Sequence, residues 1–385
     1  MYLNDINHST GVRLGELVAE SLWQNCRPRR VDDHSRTKTV TSRKVEGPTV
    51  VIGCDTRPSS PDILTGVAIG LRRMGCQVVD VGRVSRPVFD FTVRDLDAHG
   101  GILVTGSGLP VAWTGADVVG FAAEPWAKQG LWKQLVDRWE KVSSRPTRHG
   151  GSLVSYPPDG AYFGSLMKHF RNCRRLVVGV GFENRSLQNS FVEFARELPV
   201  TFVPMDPVAL RRKLPRKGLE WTEVDGRSQM KSPRQHSGEG LVDAALSPQE
   251  VSDSTPEITC LIDESARCCT LWDEHGNLVH PTDWLVRLVE WMLPRSLHRQ
   301  IVVPPQFPAS ARGRLRAYGA ELVSTNGTEA EMFHQLRERH CLLGADGEGR
   351  LWLPENDSRC DALATLARLI ELLSQTTRPP SFWST

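Results

Sequence analysis

The sequence predicts an α/β protein with largely parallel sheets, built from more than one unit. Short apolar runs alternate with amphipathic helical patterns along almost the whole chain, which is the signature of strand–helix–strand connection. At 385 residues the chain is also long for a single hydrophobic core. No short tandem repeat of the solenoid kind is present.

The elements follow in order. Residues 49–54 read as a buried strand, and 61–74 as a helix with Leu64, Val67, Ala68 and Leu71 on one face. A strand from Gln77 to Val81 leads to a helix from Pro87 to Leu96, with proline favourably placed in the first turn. Gly101 to Thr105 is a strand, and a charged, tryptophan-rich helix is expected over 124–142. The next unit reads helix 158–171, strand Arg175–Val180, helix 186–197 and strand Val200–Pro204. A third begins with strand Ile258–Asp263, a return through Leu271-Trp272 and a helix from 282. It continues with strand Gln300–Val303, helix 309–318, strand Glu321–Ser324, helix 328–338, strand Cys341–Gly344 and helix 360–374. The expected units are residues 1–150, 151–255 and 256–385.

Composition excludes several classes of function. The net charge is +2, from 47 basic and 45 acidic residues, so no global field draws the chain to nucleic acid or an anionic membrane. No apolar run approaches the roughly 18–20 residues of a membrane helix. The start, Met1-Tyr2-Leu3-Asn4-Asp5, has no secretory pattern. Nine cysteines without a Cys-x-x-Cys spacing suit reduced thiols and a cytoplasmic location. Two basic stretches, 27–47 and 211–240, read as solvated linker and loop, or as a patch for phosphorylated ligands or RNA. The eleven tryptophans read as packing residues.

Two glycines, Gly106 and Gly108, flank Ser107 directly after the Gly101–Thr105 strand, leaving the serine open to close approach. It is not a hydrolase elbow, because Thr105 and Leu109 stand where that motif has glycines. Taken alone, such a serine makes a turn or caps a helix. Gly179-Val180-Gly181-Phe182-Glu183-Asn184 imitates a dinucleotide fingerprint but lacks its third glycine.

The stretch Val50-Val51-Ile52-Gly53-Cys54-Asp55-Thr56-Arg57-Pro58-Ser59-Ser60, followed by Thr105-Gly106-Ser107-Gly108-Leu109-Pro110, resembles the α-D-phosphohexomutase family of phosphoglucomutases and phosphomannomutases. The resemblance runs in order over residues 49–375 and more loosely over 12–24, where it implies a first helix that includes Arg13. It implies three consecutive α/β/α domains with mixed, mainly parallel sheets, and a chain ending before the family's fourth domain. It implies Ser107 as the carrier of a phosphoryl group, with Arg57 and Arg267 as phosphate contacts. A hexose phosphate is the implied ligand.

The same resemblance exposes departures. Asp117 stands where the family has a lysine, a change of sign at a phosphate-handling position. The family's magnesium loop carries three carboxylates. Here Asp263-Glu264-Ser265-Ala266-Arg267-Cys268 keeps Asp263 as the metal candidate and puts Arg267 at the third carboxylate. Arg267 could supply the missing positive charge itself. The sugar loop matches Gly344-Ala345-Asp346-Gly347-Glu348-Gly349-Arg350, so Asp346, Glu348 and Arg350 are the implied substrate contacts. Glu329 replaces a basic residue. Two readings stay open: a phosphohexomutase acting through Ser107 with reduced or lost turnover, or a non-catalytic relative that binds a sugar phosphate or a protein partner.

Overall fold

The computed structural model describes residues 6–25, 47–106, 108–110, 112–126, 130–140, 150–171, 173–214, 223–224, 227–228, 255–354 and 359–384. Three five-stranded sheets organise them, each a set of parallel strands finished by antiparallel returns.

The first sheet is preceded by α1 (His8–Asn25) and built from β1 (Thr49–Cys54), α2 (Ser60–Arg73), β2 (Gln77–Arg83), α3 (Arg86–Asp95), β3 (Gly100–Thr105), β4 (Gly115–Val119), α4 (Leu131–Arg138) and β5 (Leu153–Ser155). Its order is β4-β3-β1-β2-β5, and β4 alone runs antiparallel. Helices α1 and α2 meet along facing glycines: a Cβ on Gly15 would lie 2.4 Å from the Val67 carbonyl oxygen, and one on Gly70 would lie 2.1 Å from that of Val12. Only the absent side chains allow this approach.

The second sheet comprises α5 (Asp159–Leu166), β6 (Val177–Phe182), α6 (Arg185–Ala195), β7 (Thr201–Pro204), α7 (Pro207–Arg212), β10 (Ile258–Ile262), β11 (Cys269–Trp272) and β12 (Leu278–Val279), with a two-stranded pair β8 (Glu223–Val224) and β9 (Arg227–Ser228) between α7 and β10 in the chain. Its order is β12-β11-β10-β6-β7. The third follows α8 (Pro281–Met292) and contains β13 (Gln300–Val303), α9 (Ala309–Ala317), β14 (Glu321–Ser324), α10 (Glu329–Glu338), β15 (Leu343–Ala345), β16 (Leu351–Leu353), β17 (Arg359–Cys360) and α11 (Ala362–Gln375), in the order β14-β13-β15-β16-β17.

The α/β/α expectation holds, with corrections. Both expected unit boundaries fall inside sheets. β5 lies beyond residue 150 yet pairs with β2, and β10 lies beyond 255 yet pairs in parallel with β6, Ile258 opposite Val178. β10 is buried along its whole length, so it needs neighbours on both edges, which β6 and β11 supply. The helix expected over 124–142 shortens to α4, because β4 and its turn occupy the stretch before it. Residues 211 and 212, expected in a linker, close α7. The rest of the basic stretches, 27–46 and 215–240, lies outside the described residues apart from β8 and β9. Arg13 is a helix residue, as expected.

One apolar core joins all three sheets, running from Val51 and Phe89 through Val178 and Ile262 to Leu343 and Leu369. A buried Tyr162 hydroxyl donates to both oxygens of Asp361 at 3.1 and 3.0 Å, tying α5 to the start of α11. Among the described residues no helix is long and apolar enough to cross a membrane.

Candidate active site

Loops from all three sheets converge on a cleft of about 610 Å³. The end of β3 and its following turn contribute Thr105, Gly106, Gly108 and Leu109. The turn after β10 contributes Asp263, Glu264, Ser265, Arg267 and Cys268, and the turn after β15 contributes Glu348 and Arg350. Ser107 lies outside the described residues, so its placement is not part of this geometry.

Asp55 and Arg57 fix the floor. Asp55 accepts from the Ser60 hydroxyl at 2.5 Å and from the Gly106 backbone at 2.9 Å. The Arg57 guanidinium donates to the carbonyls of Pro110 (2.7 Å), Trp113 (2.8 Å) and Leu109 (2.9 Å). Its Nε lies 3.2 Å from Asp55, and its Nη2 lies 3.7 Å from Glu264. Arg57 is therefore buried beneath the loop and does not line the cleft.

The residues matched to the family's magnesium loop form a closed turn. One Asp263 carboxylate oxygen accepts from the backbone N–H groups of Arg267 and Cys268, both at 2.8 Å; the other accepts from the Ser265 hydroxyl at 2.5 Å. Ala266 takes a left-handed backbone, φ 58°, at the tip. Glu264 faces Arg57, and the Arg267 guanidinium reaches Glu329. Magnesium prefers several carboxylate and water oxygens. Asp263 already accepts three hydrogen bonds and Glu264 faces Arg57, so the oxygens of this turn do not fit that ion.

The positions of inverted charge are brought together. Arg86, at the start of α3, donates through Nε to both oxygens of Asp90 at 2.9 Å and through Nη1 to Asp117 at 2.5 Å. Its Nη2 lies 3.6 Å from Glu329. Glu329 in turn meets Arg267 at 2.9 Å. Arg359 stands 3.7 Å from Asp90 and over the Phe333 ring. Asp117 reaches this cluster because β4 pairs it opposite Leu103. Burial alone would raise the Glu329 carboxyl, but Arg267, Arg86 and Arg359 outweigh it and hold it down at about 2. Burial works against the Arg86 and Arg267 charges, yet their carboxylate partners leave both more firmly protonated than usual.

The sugar-loop candidates divide. Glu348 and Arg350 line the cleft. Asp346 does not; it accepts from the Glu348 and Arg350 backbone at 2.8 and 3.2 Å and shapes the turn, and burial raises its carboxyl. That turn is stitched to the Asp263 turn by a bridge between Cys268 and Arg350.

Sequence reasoning missed several cleft residues. Arg86 and Ser85 line it, the signal being only a helix start before Pro87. Glu183 and Asn184, set aside as part of a false dinucleotide motif, line it too. The Asn184 side chain caps α6 and donates to the Glu264 carbonyl at 3.1 Å; Glu183 accepts from the Glu264 backbone and pairs with Arg211.

The phosphoglucomutase/phosphomannomutase α/β/α domain I matches residues 36–129. A phosphomannomutase/phosphoglucomutase of Pseudomonas aeruginosa is 22% identical over 333 residues, covering 86% of this chain and 67% of its own. The chain is thus similar to the α-D-phosphohexomutase family in its first domain and in its fold. A probable phosphoglucosamine mutase of Pyrococcus abyssi is likewise 22% identical over 336 residues, covering 86% of this chain and 69% of its own. A phosphoglucomutase/phosphomannomutase family protein from Burkholderia thailandensis has the same fold, with a TM-score of 0.73 at 20% identity over 99% of this chain and 76% of that one. The cleft and the side chains beside it are thus where the charge inversions at Asp117, Arg267 and Glu329 meet.

Proposed function

We propose that this phosphohexomutase-like chain binds a hexose phosphate in the three-sheet cleft, with mutase turnover reduced or lost. The observation that carries this reading is the closed set of ion pairs joining Asp117, Arg86, Glu329 and Arg267. Phosphoryl transfer depends on positioned positive charge around the moving group. Here the cations at these positions already face carboxylates of the same chain, and the Asp263 turn does not suit a divalent ion. Removing one such electrostatic group typically costs ~10²–10³ in rate. Under this reading Ser107, if it still carries phosphate, does so slowly. Glu348, exposed at the cleft, supplies acceptors for sugar hydroxyls.

A coupled mutase assay tests the reading. Glucose 1-phosphate and mannose 1-phosphate are offered with their 1,6-bisphosphates, with and without magnesium, beside Ser107→Ala. The expected result is turnover at or near background in a folded sample that still binds the sugar phosphate. Family-level turnover abolished by Ser107→Ala would overturn it.

A further inference from the structure

Glu329 stands in an arginine-lined pocket that is built as if for an anion. Its carboxylate is 2.9 Å from Arg267 and 3.6 Å from Arg86. Arg359 adds a third buried guanidinium, and among the described residues its Nε and Nη1 have no hydrogen-bond partner. Such donors carry a desolvation cost that only an acceptor removes. The opposing charges nearby are Asp90, bound to Arg86 and 3.7 Å from Arg359, and Asp117, bound to Arg86. Three guanidinium groups thus face three carboxylates, and Glu329 is the one that completes the balance. Arg86 and Arg267 both line the cleft, so a solute anion can reach the same donors.

We propose that Arg86, Arg267 and Arg359 form an oxyanion site that the chain fills with its own Glu329 carboxylate, in competition with a phosphate group entering from the cleft. Guanidinium groups match phosphate and carboxylate geometry alike. The tethered carboxylate therefore acts as a built-in inhibitor of phosphate binding at this position. The Thr328 side chain, which caps α10 by accepting from the Glu331 backbone, sets the start of the helix on which Glu329 stands. The inference goes beyond the proposed function, because it concerns an anion site and its occupant, and it is read from binding rather than turnover.

The test is a calorimetric titration of inorganic phosphate, and separately of glucose 1-phosphate, into the wild type, Glu329→Gln and Arg267→Gln/Glu329→Gln at fixed ionic strength in chloride. Glu329→Gln is expected to bind inorganic phosphate roughly tenfold or more tightly than the wild type, and the double variant is expected to lose that gain. The same gain with glucose 1-phosphate assigns the oxyanion to a sugar ester; a gain with inorganic phosphate alone assigns it to the free anion. Equal phosphate affinity in wild type and Glu329→Gln overturns the proposal, as does a gain that survives removal of Arg267. Glu329→Gln is also expected to melt below the wild type and to recover with phosphate but not with chloride. A folding defect that phosphate fails to reverse counts equally against it.

Discussion

Arg57, buried beneath the loop after β3, and Arg86, which lines the cleft, use their charge in opposite ways. Arg57 spends its donors on three backbone carbonyls of the loop after β3, with Asp55 beside its Nε. Arg86 spends its donors on side-chain carboxylates from three elements, α3, β4 and α10. Carbonyls cannot be mutated away, whereas carboxylates can. The first arrangement is a fixed part of the loop's backbone satisfaction; the second is a set of exchangeable charges.

This difference orders the expected effects. Arg57→Ala removes the donor to three carbonyls and the charge that faces buried Asp55, and is expected to cost about 3–5 kcal/mol in urea unfolding. No second substitution nearby should restore it; a partner substitution that did would erase the contrast. Arg86→Met alone should cost about 3 kcal/mol, because it strands Asp90 and Glu329. Adding Asp90→Leu and Glu329→Gln should recover more than half of that loss, and failure to recover would place Arg86 in the same class as Arg57.

Two carboxylates, the half-buried Glu329 and the buried Asp361, sharpen the comparison through pH. Glu329, among arginines, is held at about 2. Its contribution is in full above the usual glutamate range near 4.3 and is lost as pH falls toward 2. Asp361 has no arginine in hydrogen-bond contact; burial pushes it up to about 6, although the Ala364 and Leu363 backbone and the Tyr162 hydroxyl pull the other way. The native state therefore holds its proton more tightly than the unfolded chain. Its contribution is present below about pH 4 and is lost as pH rises through 6, an effect on the order of 2–3 kcal/mol. Asp361→Asn should flatten the stability slope between pH 4 and 6, measured by denaturant midpoints; an unchanged slope would remove Asp361 as its source. The smallest effect is expected for Asp117→Asn. That side chain is 48% exposed, so its pair with Arg86 should be worth less than about 1 kcal/mol.

Much of the architecture was legible in the residues. The strands over 49–54 and 300–303 appear where the apolar runs put them, because a buried strand has no other use for such a run; the strand over 321–324 also appears, although it lies at the sheet edge with no residue fully buried. What the pattern could not give was sheet membership. Ile258–Ile262 reads as the start of a new unit, yet it completes the sheet of β6, since strand pairing across dozens of intervening residues leaves no local mark. The charge inversions at Asp117, Arg267 and Glu329 were visible one by one. Their mutual pairing was not, because they lie on three elements far apart in the chain.

The sequence by itself determined the alternating elements, the family resemblance and the sites where charge departs from it, since these follow from side-chain chemistry and short-range periodicity. Tertiary structure alone decided which charges cancel. Coulomb attraction depends on distance in space, and only the packing of α3, β4, α10 and the turn after β10 brings Asp117, Arg86, Glu329 and Arg267 within a few ångströms of one another.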